Sequence, residues 1–359
     1  MKQLMSGNVA LGEAAILSGC THYFGYPITP QNEITEYMAR RLPAAGGVFI
    51  QSESEIAAIN MVLGAAAAGA RAMTSSSGPG MSLKQEGISY LVADELPGVI
   101  VNVVRGGPGM GSIAGAQSDY FQATRGGGHG DYRTVVLAPA SVQELTGIVP
   151  LAFELADKYR NPVIILADGI LGQMMEPVDF DGLVRPADVD KPWVLTGARG
   201  RPPQSIYSLI FDTKLQEEKN WKLQRKFRLI EQNEVRYETH LVDDADMVVV
   251  AYGIGARIAK GAIKRLRHEG KKVGLLRPIT LWPFPAPALQ ELVKATSDFF
   301  VFEMSAGQMV EDVRLALEGR GRIHFYGRPG GVAPMPVELY RIIARHYAQA
   351  RAAGGRGRR

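Results

Sequence analysis

One cysteine, Cys20, stands among 359 residues, and that scarcity removes several chemistries at once. A single thiol cannot build a disulfide framework, nor a zinc or iron–sulfur site made from several cysteines of this chain. It fits a reducing cytoplasm, with Cys20 read as a small buried hydrophobe at a helix end. Long apolar runs are missing too, since no stretch approaches the ~18 residues of a membrane span. The opening MKQLMSGNVALGEAAILSGC lacks the apolar heart of a signal peptide and reads as an amphipathic helix. Net charge is scarce once its source is located. The formal value is +4, but the closing RAAGGRGRR holds four arginines, and the remainder is neutral. A nucleic-acid binder would carry a basic face within its fold, and none is visible. The Gly/Arg tail at 350–359 is expected to be disordered.

What is present is the composition of an ordinary globular protein, 46% hydrophobic and 21% charged. At roughly 150 residues per domain the length suggests two domains. Short β-rich runs alternate with Ala/Gly-rich helical stretches through the first half. PGVIVNVVR (97–105) and NPVIILAD (161–168) are apolar runs of the kind found in parallel strands covered on both faces. This alternation predicts a doubly wound α/β domain over about 1–185. Residues 186–242 read as a connecting arm, with LQEEKNWKLQRKFRLIEQNEVRYETH as its charged amphipathic helix. DMVVVAYG, KKVGLLRP, DFFVFEM and IHFYG then supply four strand candidates for a second α/β domain over 243–349.

Three glycine clusters invite ligand readings. GIGARI (253–258) follows a strand and opens a helix, but lacks the third glycine of GxGxxG, so a tight packing turn explains it better. SSSGPG (75–80) is a strand-to-helix turn whose hydroxyls and free N–H groups could hold a polar ligand edge. The segment 105–133 carries nine glycines interleaved with Arg105, Gln117, Asp119, His129 and other polar residues. So much glycine costs backbone entropy, and long loops in compact domains are usually functional or disordered. A substrate-covering loop is the expectation. No GxxxxGK[ST] occurs, which argues against a P-loop kinase.

Three segments together resemble the α subunit of 2-oxoacid:ferredoxin oxidoreductases: GYPITP (25–30), QSESEIAAINMVLGAAAAGA (51–70), and TSSSGPGMSL followed by ELPGVIVNVVRGGPG (74–109). The likeness continues through ATRGGGHGDYR, LAPASVQEL and KVGLLRPITLWPF, and so covers nearly the whole chain. It is nearest to the short subunits assigned to 2-oxoisovalerate or 2-oxoglutarate. The resemblance implies a pyrimidine-binding thiamine diphosphate domain (1–185) and a transketolase C-terminal-like domain (243–349). It places the catalytic glutamate at Glu55, with Glu53 as the alternative. A buried acid at a helix start can share a proton with the cofactor's aminopyrimidine. The resemblance places substrate contacts at Thr29 and Arg105. Independently, a threonine hydroxyl can donate to a carboxylate, and an arginine can grip one with both arms. Pro30 is expected in the first turn of the helix that follows. Pro27, Ile28, Ser76 and Gly78 are candidate cofactor contacts, and Gln117, Asp119 and His129 candidate residues of the substrate loop.

The family's GDG segment and following asparagines, which hold Mg²⁺ and the diphosphate, are not found, and ADG (167–169) ends a strand without them. No metal site is therefore assigned to this chain. Mg²⁺, the diphosphate and the [4Fe-4S] clusters are expected on a β subunit, with γ or ferredoxin-like δ subunits as further partners. The implied reaction oxidises a 2-oxoacid with CoA to acyl-CoA and CO₂ and passes electrons to ferredoxin in the cytoplasm. Two alternatives stay open: another thiamine enzyme, lipoamide-linked or transketolase-like, and a non-catalytic scaffold subunit.

Overall fold

The structure, a computed structural model, describes residues 2–356. A short strand, β1 (Gln3–Ser6), leads into α1 (Gly7–Leu17), which Ser6 caps by accepting from the Val9 N–H. Then follow β2 (His22–Gly25), α2 (Asn32–Ala44), β3 (Val48–Gln51), α3 (Glu55–Ala67), β4 (Ala72–Ser76), α4 (Pro79–Ala93) and β5 (Gly98–Val104). The glycine-rich stretch holds one short helix, α5 (Tyr120–Arg125). After it come β6 (Val135–Leu137), α6 (Val142–Tyr159), β7 (Pro162–Asp168), α7 (Gly169–Gln173) and β8 (Met175–Val178). Next are α8 (Thr213–Asn233), β9 (Tyr237–His240), β10 (Met247–Val250), α9 (Gly253–His268), β11 (Val273–Pro278) and β12 (Thr280–Trp282). The chain closes with α10 (Ala286–Leu292), β13 (Asp298–Glu303), α11 (Met309–Leu317), β14 (Arg322–Gly327) and α12 (Pro336–Arg356).

Seven strands form the first sheet in the order β12-β6-β7-β5-β4-β2-β3. All neighbours are parallel except the pair of β12 and β6. Every residue of β5 and β7 is buried, which is why both read as unbroken apolar runs. α1 packs on α2 and α6, while α3 packs on α4, so both faces are covered. From β2 the sheet grows toward β3 on one side and toward β4 and β5 on the other. The carboxyl ends of β2 and β4 therefore flank a topological switch point, where open α/β sheets hold their ligands.

Five strands form the second sheet, β14-β13-β10-β11-β9, with only β9 antiparallel. Alternation along its strands sends Val248, Val250, Phe299 and Val301 into the same apolar core as the first sheet. Met247, Val249, Phe300 and Phe302 instead face α9 and α12.

Several boundaries differ from the sequence reading. The opening is not helical throughout, because β1 pairs antiparallel with β8. β9, inside the expected arm, is an edge of the second sheet, and β12, inside the expected second domain, is an edge of the first. Each covers backbone donors and acceptors that a bare sheet edge would leave unpaired. In the arm helix α8 only Leu223, Phe227 and Ile230 are buried, and the Phe227 ring meets Trp282 edge-on at 6.0 Å. The expected tail begins as helix: α12 runs to Arg356, with Ala350 buried and Arg351 paired with Asp246 at 3.1 Å. Residues 357–359 of that tail lie outside the described residues. No helix among the described residues is long and apolar enough to cross a membrane.

Asp168 ties the two units. At the end of β7 it accepts from the N–H groups of Ile170 and Leu171, both at 3.0 Å, and also from Ile254 at the start of α9. The anion position at the GIGARI helix is thus filled by a side chain of this chain. Burial pushes the carboxyl up to about 6, against the pull of those N–H groups. A carboxyl raised in the folded state stabilises the fold below its unfolded value of 3.8, and that stability is lost as pH rises through about 6. Asp168→Asn keeps the cap oxygen without the titration. The stability of wild type relative to this variant should therefore fall between pH 4 and 7, by at most about 3 kcal/mol, as read from urea unfolding at both pH values.

Candidate functional site

Three chain segments meet at the switch point: the turn after β2, the start of α3 and the turn from β4 into α4. Glu55, the first residue of α3, is buried, and Glu53 is exposed. The helix is capped by Ser54, which accepts from Ala57 N–H at 3.2 Å, so Glu55 is free of capping duty. Among the described residues neither carboxyl oxygen of Glu55 has a hydrogen-bond partner. Gly80, at the start of α4, makes room for it. A Cβ at position 80 would fall 2.3 Å from Glu55 Oε1 and 2.2 Å from Ser76 Oγ.

The hydroxyls of Ser76 and Ser77 are likewise buried without partners, as is Asn102 Oδ1 on β5, which pairs in register with Ser76. Gly78 has φ +43°, a backbone that favours glycine, and Arg105 packs beside it. Unpaired buried polar atoms are costly and rare. Three of them close to one unpartnered acid could hold a polar ligand edge.

Arg105 directly follows β5 and is buried. Its Nη1 donates to Thr29 O at 3.0 Å and its Nη2 to Met110 O at 3.1 Å, while Nε has no partner. It therefore clamps the β2 turn to the glycine loop and keeps a donor in reserve. The Thr29 hydroxyl makes no hydrogen bond among the described residues. α2 starts only at Asn32 with Gln31 as its N-cap, so Thr29 is not a cap and Pro30 lies before the first turn. Pro27 is exposed and Ile28 half-buried on the same turn.

The glycine-loop candidates separate. Asp119 accepts from Asn102 Nδ2 at 3.0 Å; burial raises its carboxyl above the usual range, and hydrogen bonds and the nearby Arg105 oppose that rise. It thus braces the site. Gln117 is occupied elsewhere: its Nε2 donates to Tyr252 O at 2.9 Å and its Oε1 accepts from Met304 N at 2.9 Å, stitching the loop to the second sheet. His129 is exposed beside Ser89 and Tyr90. Ser89 lies nine residues along α4 from Gly80, or about 13 Å at ~1.5 Å per residue. The structure does not bring His129 or Gln117 to Glu55.

Lys84, which the sequence reading passed over, is fully buried one turn beyond Gly80. Its Nζ donates to Thr74 Oγ1 at 3.1 Å and to the Glu55 main-chain oxygen at 3.4 Å. Burial pushes the ammonium down to about 7, against the attraction of Glu55. The signal was in the sequence: Met81, Lys84, Ile88 and Leu91 follow helical spacing, and the other three are buried core. Cys20 is buried, its thiol pushed up to about 12 by desolvation, as an inert structural cysteine would be.

Residues 13–240 match the family described as pyruvate flavodoxin/ferredoxin oxidoreductase, thiamine diphosphate-binding, and 245–339 match pyruvate:ferredoxin oxidoreductase core domain II. The ketoisovalerate oxidoreductase subunit VorB of Methanothermobacter marburgensis is 53% identical over 92% of this chain and 93% of its own. The 2-oxoglutarate synthase subunit KorA of Methanocaldococcus jannaschii is 35% identical over 95% and 99%. Among solved structures, 2-oxoglutarate:ferredoxin oxidoreductase from Magnetococcus marinus, with 2-oxoglutarate, coenzyme A and succinyl-CoA bound, superposes with TM-score 0.83 and 28% identity. The match covers 96% of this chain and 65% of that one. A split-gene transketolase in an inactive β4 tetramer shares the fold at TM-score 0.61 and 17% identity.

Gly80→Ala tests the packing. Forcing a methyl against Glu55 and Ser76 should cost about 1–3 kcal/mol of stability, and part of that cost should vanish in a Glu55→Ala background, both read from denaturant midpoints.

Proposed function

The chain belongs to the 2-oxoacid:ferredoxin oxidoreductases, the pyruvate flavodoxin/ferredoxin oxidoreductase family, and on that premise we propose that it carries the pyrimidine end of thiamine diphosphate in a heteromeric enzyme. The overall change is 2-oxoacid plus CoA plus two oxidised ferredoxins to acyl-CoA, CO₂, two reduced ferredoxins and one proton. The observation that carries the reading is the buried, unpartnered carboxyl of Glu55 at the switch point. Its surroundings fit an aminopyrimidine, since the partnerless hydroxyls of Ser76 and Ser77 and the Gly80 cradle leave polar atoms facing the same small space.

When bound, thiamine diphosphate supplies a thiazolium carbon that attacks the oxo carbon of the substrate. The roles of this chain are to bind and orient. Glu55 holds a proton at a ring nitrogen of the bound pyrimidine. Arg105 and Thr29 hold the substrate carboxylate through the free Nε donor and the free hydroxyl. Pro27, Ile28 and Gly78 shape the walls, and Asp119 keeps Asn102 in place.

We assign the other end of the cofactor to a partner, since this sequence carries no GDG segment followed by asparagines. Among the described residues no group of three His, Cys, Asp or Glu side chains stands ready for a metal. The reading therefore gives Mg²⁺, the diphosphate and the [4Fe-4S] clusters to a β subunit, with γ and δ subunits and ferredoxin completing the electron path. The setting is the cytoplasm. For the acyl side we favour an apolar, branched 2-oxoacid. Between Arg105 and Arg125 the loop offers no second cation for another carboxylate, and Met110 and Ile113 expose apolar side chains there. The higher identity to the ketoisovalerate subunit points the same way.

In the assembled complex, oxoacid plus CoA should reduce a viologen dye without lipoate, and Glu55→Gln should lower kcat by about 10²–10⁴-fold. Unchanged turnover in that variant would mean a scaffold subunit. Arg105→Gln should raise KM for the oxoacid by about 10–100-fold, the worth of one charge-assisted contact. In a substrate panel, kcat/KM for 2-oxoisovalerate should exceed that for 2-oxoglutarate by at least about 10-fold, because a second carboxylate would be left unpaired.

A further inference from the structure

A lysine buried to zero exposure inside an α/β core needs a reason. Lys84 has two neutral hydrogen-bond acceptors, Thr74 Oγ1 and the Glu55 main-chain oxygen, and otherwise lies along an apolar helix stripe. A methionine would fill the same volume without the desolvation cost of an ammonium. Gly80 and Lys84 are four residues apart on α4, so the cradle of the Glu55 carboxyl and the Lys84 side chain occupy one face of the helix, a single turn apart. Charged groups elsewhere around it are few. Glu55 is the only one on α3, β4 and β5 carry none, and Glu86 on α4 itself is bonded to the Tyr90 hydroxyl at 2.6 Å.

We propose that Lys84 is a positioning residue for the reaction: a buried amine, held on the Glu55 main-chain oxygen one helix turn from the cradle of the carboxyl, whose charged form favours passage of the shared proton from Glu55 to the ring nitrogen. A carboxylate facing only neutral groups would retain that proton, while one opposed by a cation yields it. Thr74 fixes the direction of the amine, and its strand neighbour two residues on, Ser76, lies beside the carboxyl.

This inference rests on Glu55 facing the cofactor, and the tests separate the two ideas. In the cofactor-free full chain, ¹⁵N NMR of the Lys84 ammonium in wild type and Glu55→Gln reads the coupling directly. The titration midpoint should fall by about one pH unit when the carboxylate is removed, and an unchanged midpoint overturns the inference. In the assembled complex, Lys84→Met and Lys84→Gln should each move the acid limb of the kcat profile to higher pH by about one unit, with the thermal midpoint of Lys84→Met at or above that of wild type. Gln still donates hydrogen bonds to Thr74 and to the Glu55 main chain. A wild-type pH profile in Lys84→Gln would therefore show that hydrogen bonding, not charge, is what matters, and the proposal would fall. Intact turnover in Glu55→Gln would instead sink the assignment of Glu55, whatever Lys84 does.

Discussion

An acid side chain buried without a hydrogen-bond partner is a debt the fold must justify, and at Glu55 the surrounding structure is arranged to keep it so. Ser54 takes the cap of α3, leaving the carboxyl unspent. Gly80 withholds the methyl group that would displace it. Lys84 lies fully buried one turn away, and the hydroxyls of Ser76 and Ser77 remain unpaired beside it. Each of these features is unfavourable taken alone. Under the proposed function they form one side of a surface that a ligand completes.

The second unit of the chain serves that surface indirectly. Gln117 spends its whole amide on Tyr252 and Met304, and Asp168 joins the starts of α7 and α9. Strands are exchanged at the margins, with β12 on the first sheet and β9 on the second. The glycine loop is thereby held at both ends. Its first stretch, from Gly106 to Ser112, touches the second unit near Gly330, where Ser112 Oγ donates to Gly330 O at 3.0 Å. Arg105, at the root of the loop, inherits a fixed position from these contacts.

Much of the candidate site was legible because a helix start after a strand is a local event. Glu55, Thr29, Arg105, Ser76 and Gly78 all sit at the carboxyl ends of strands, where spacing along the chain fixes which side of the sheet they reach. His129 and Gln117 were equally polar and equally close to glycine, but their destinations depend on how a long loop folds back, and sequence distance does not encode that. Lys84 was hidden for the opposite reason. A lysine is ordinarily a surface residue, and only its place on the stripe with Met81, Ile88 and Leu91 marks it as buried.

By itself the sequence determined the alternation of strand and helix, the apolar central strands β5 and β7, the small-residue helix behind an acid, and the lack of thiols for a cluster. These follow from periodicity and composition, which act over a few residues. Only the tertiary structure decided that Glu55 rather than Glu53 is buried, that β9 and β12 pair across the expected boundaries, that Asp168 fills the start of α9, and that a lysine lies next to the acid. Those outcomes depend on which distant surfaces meet, and burial, which sets the chemistry of every charged group here, is a property of that meeting rather than of any local stretch of chain.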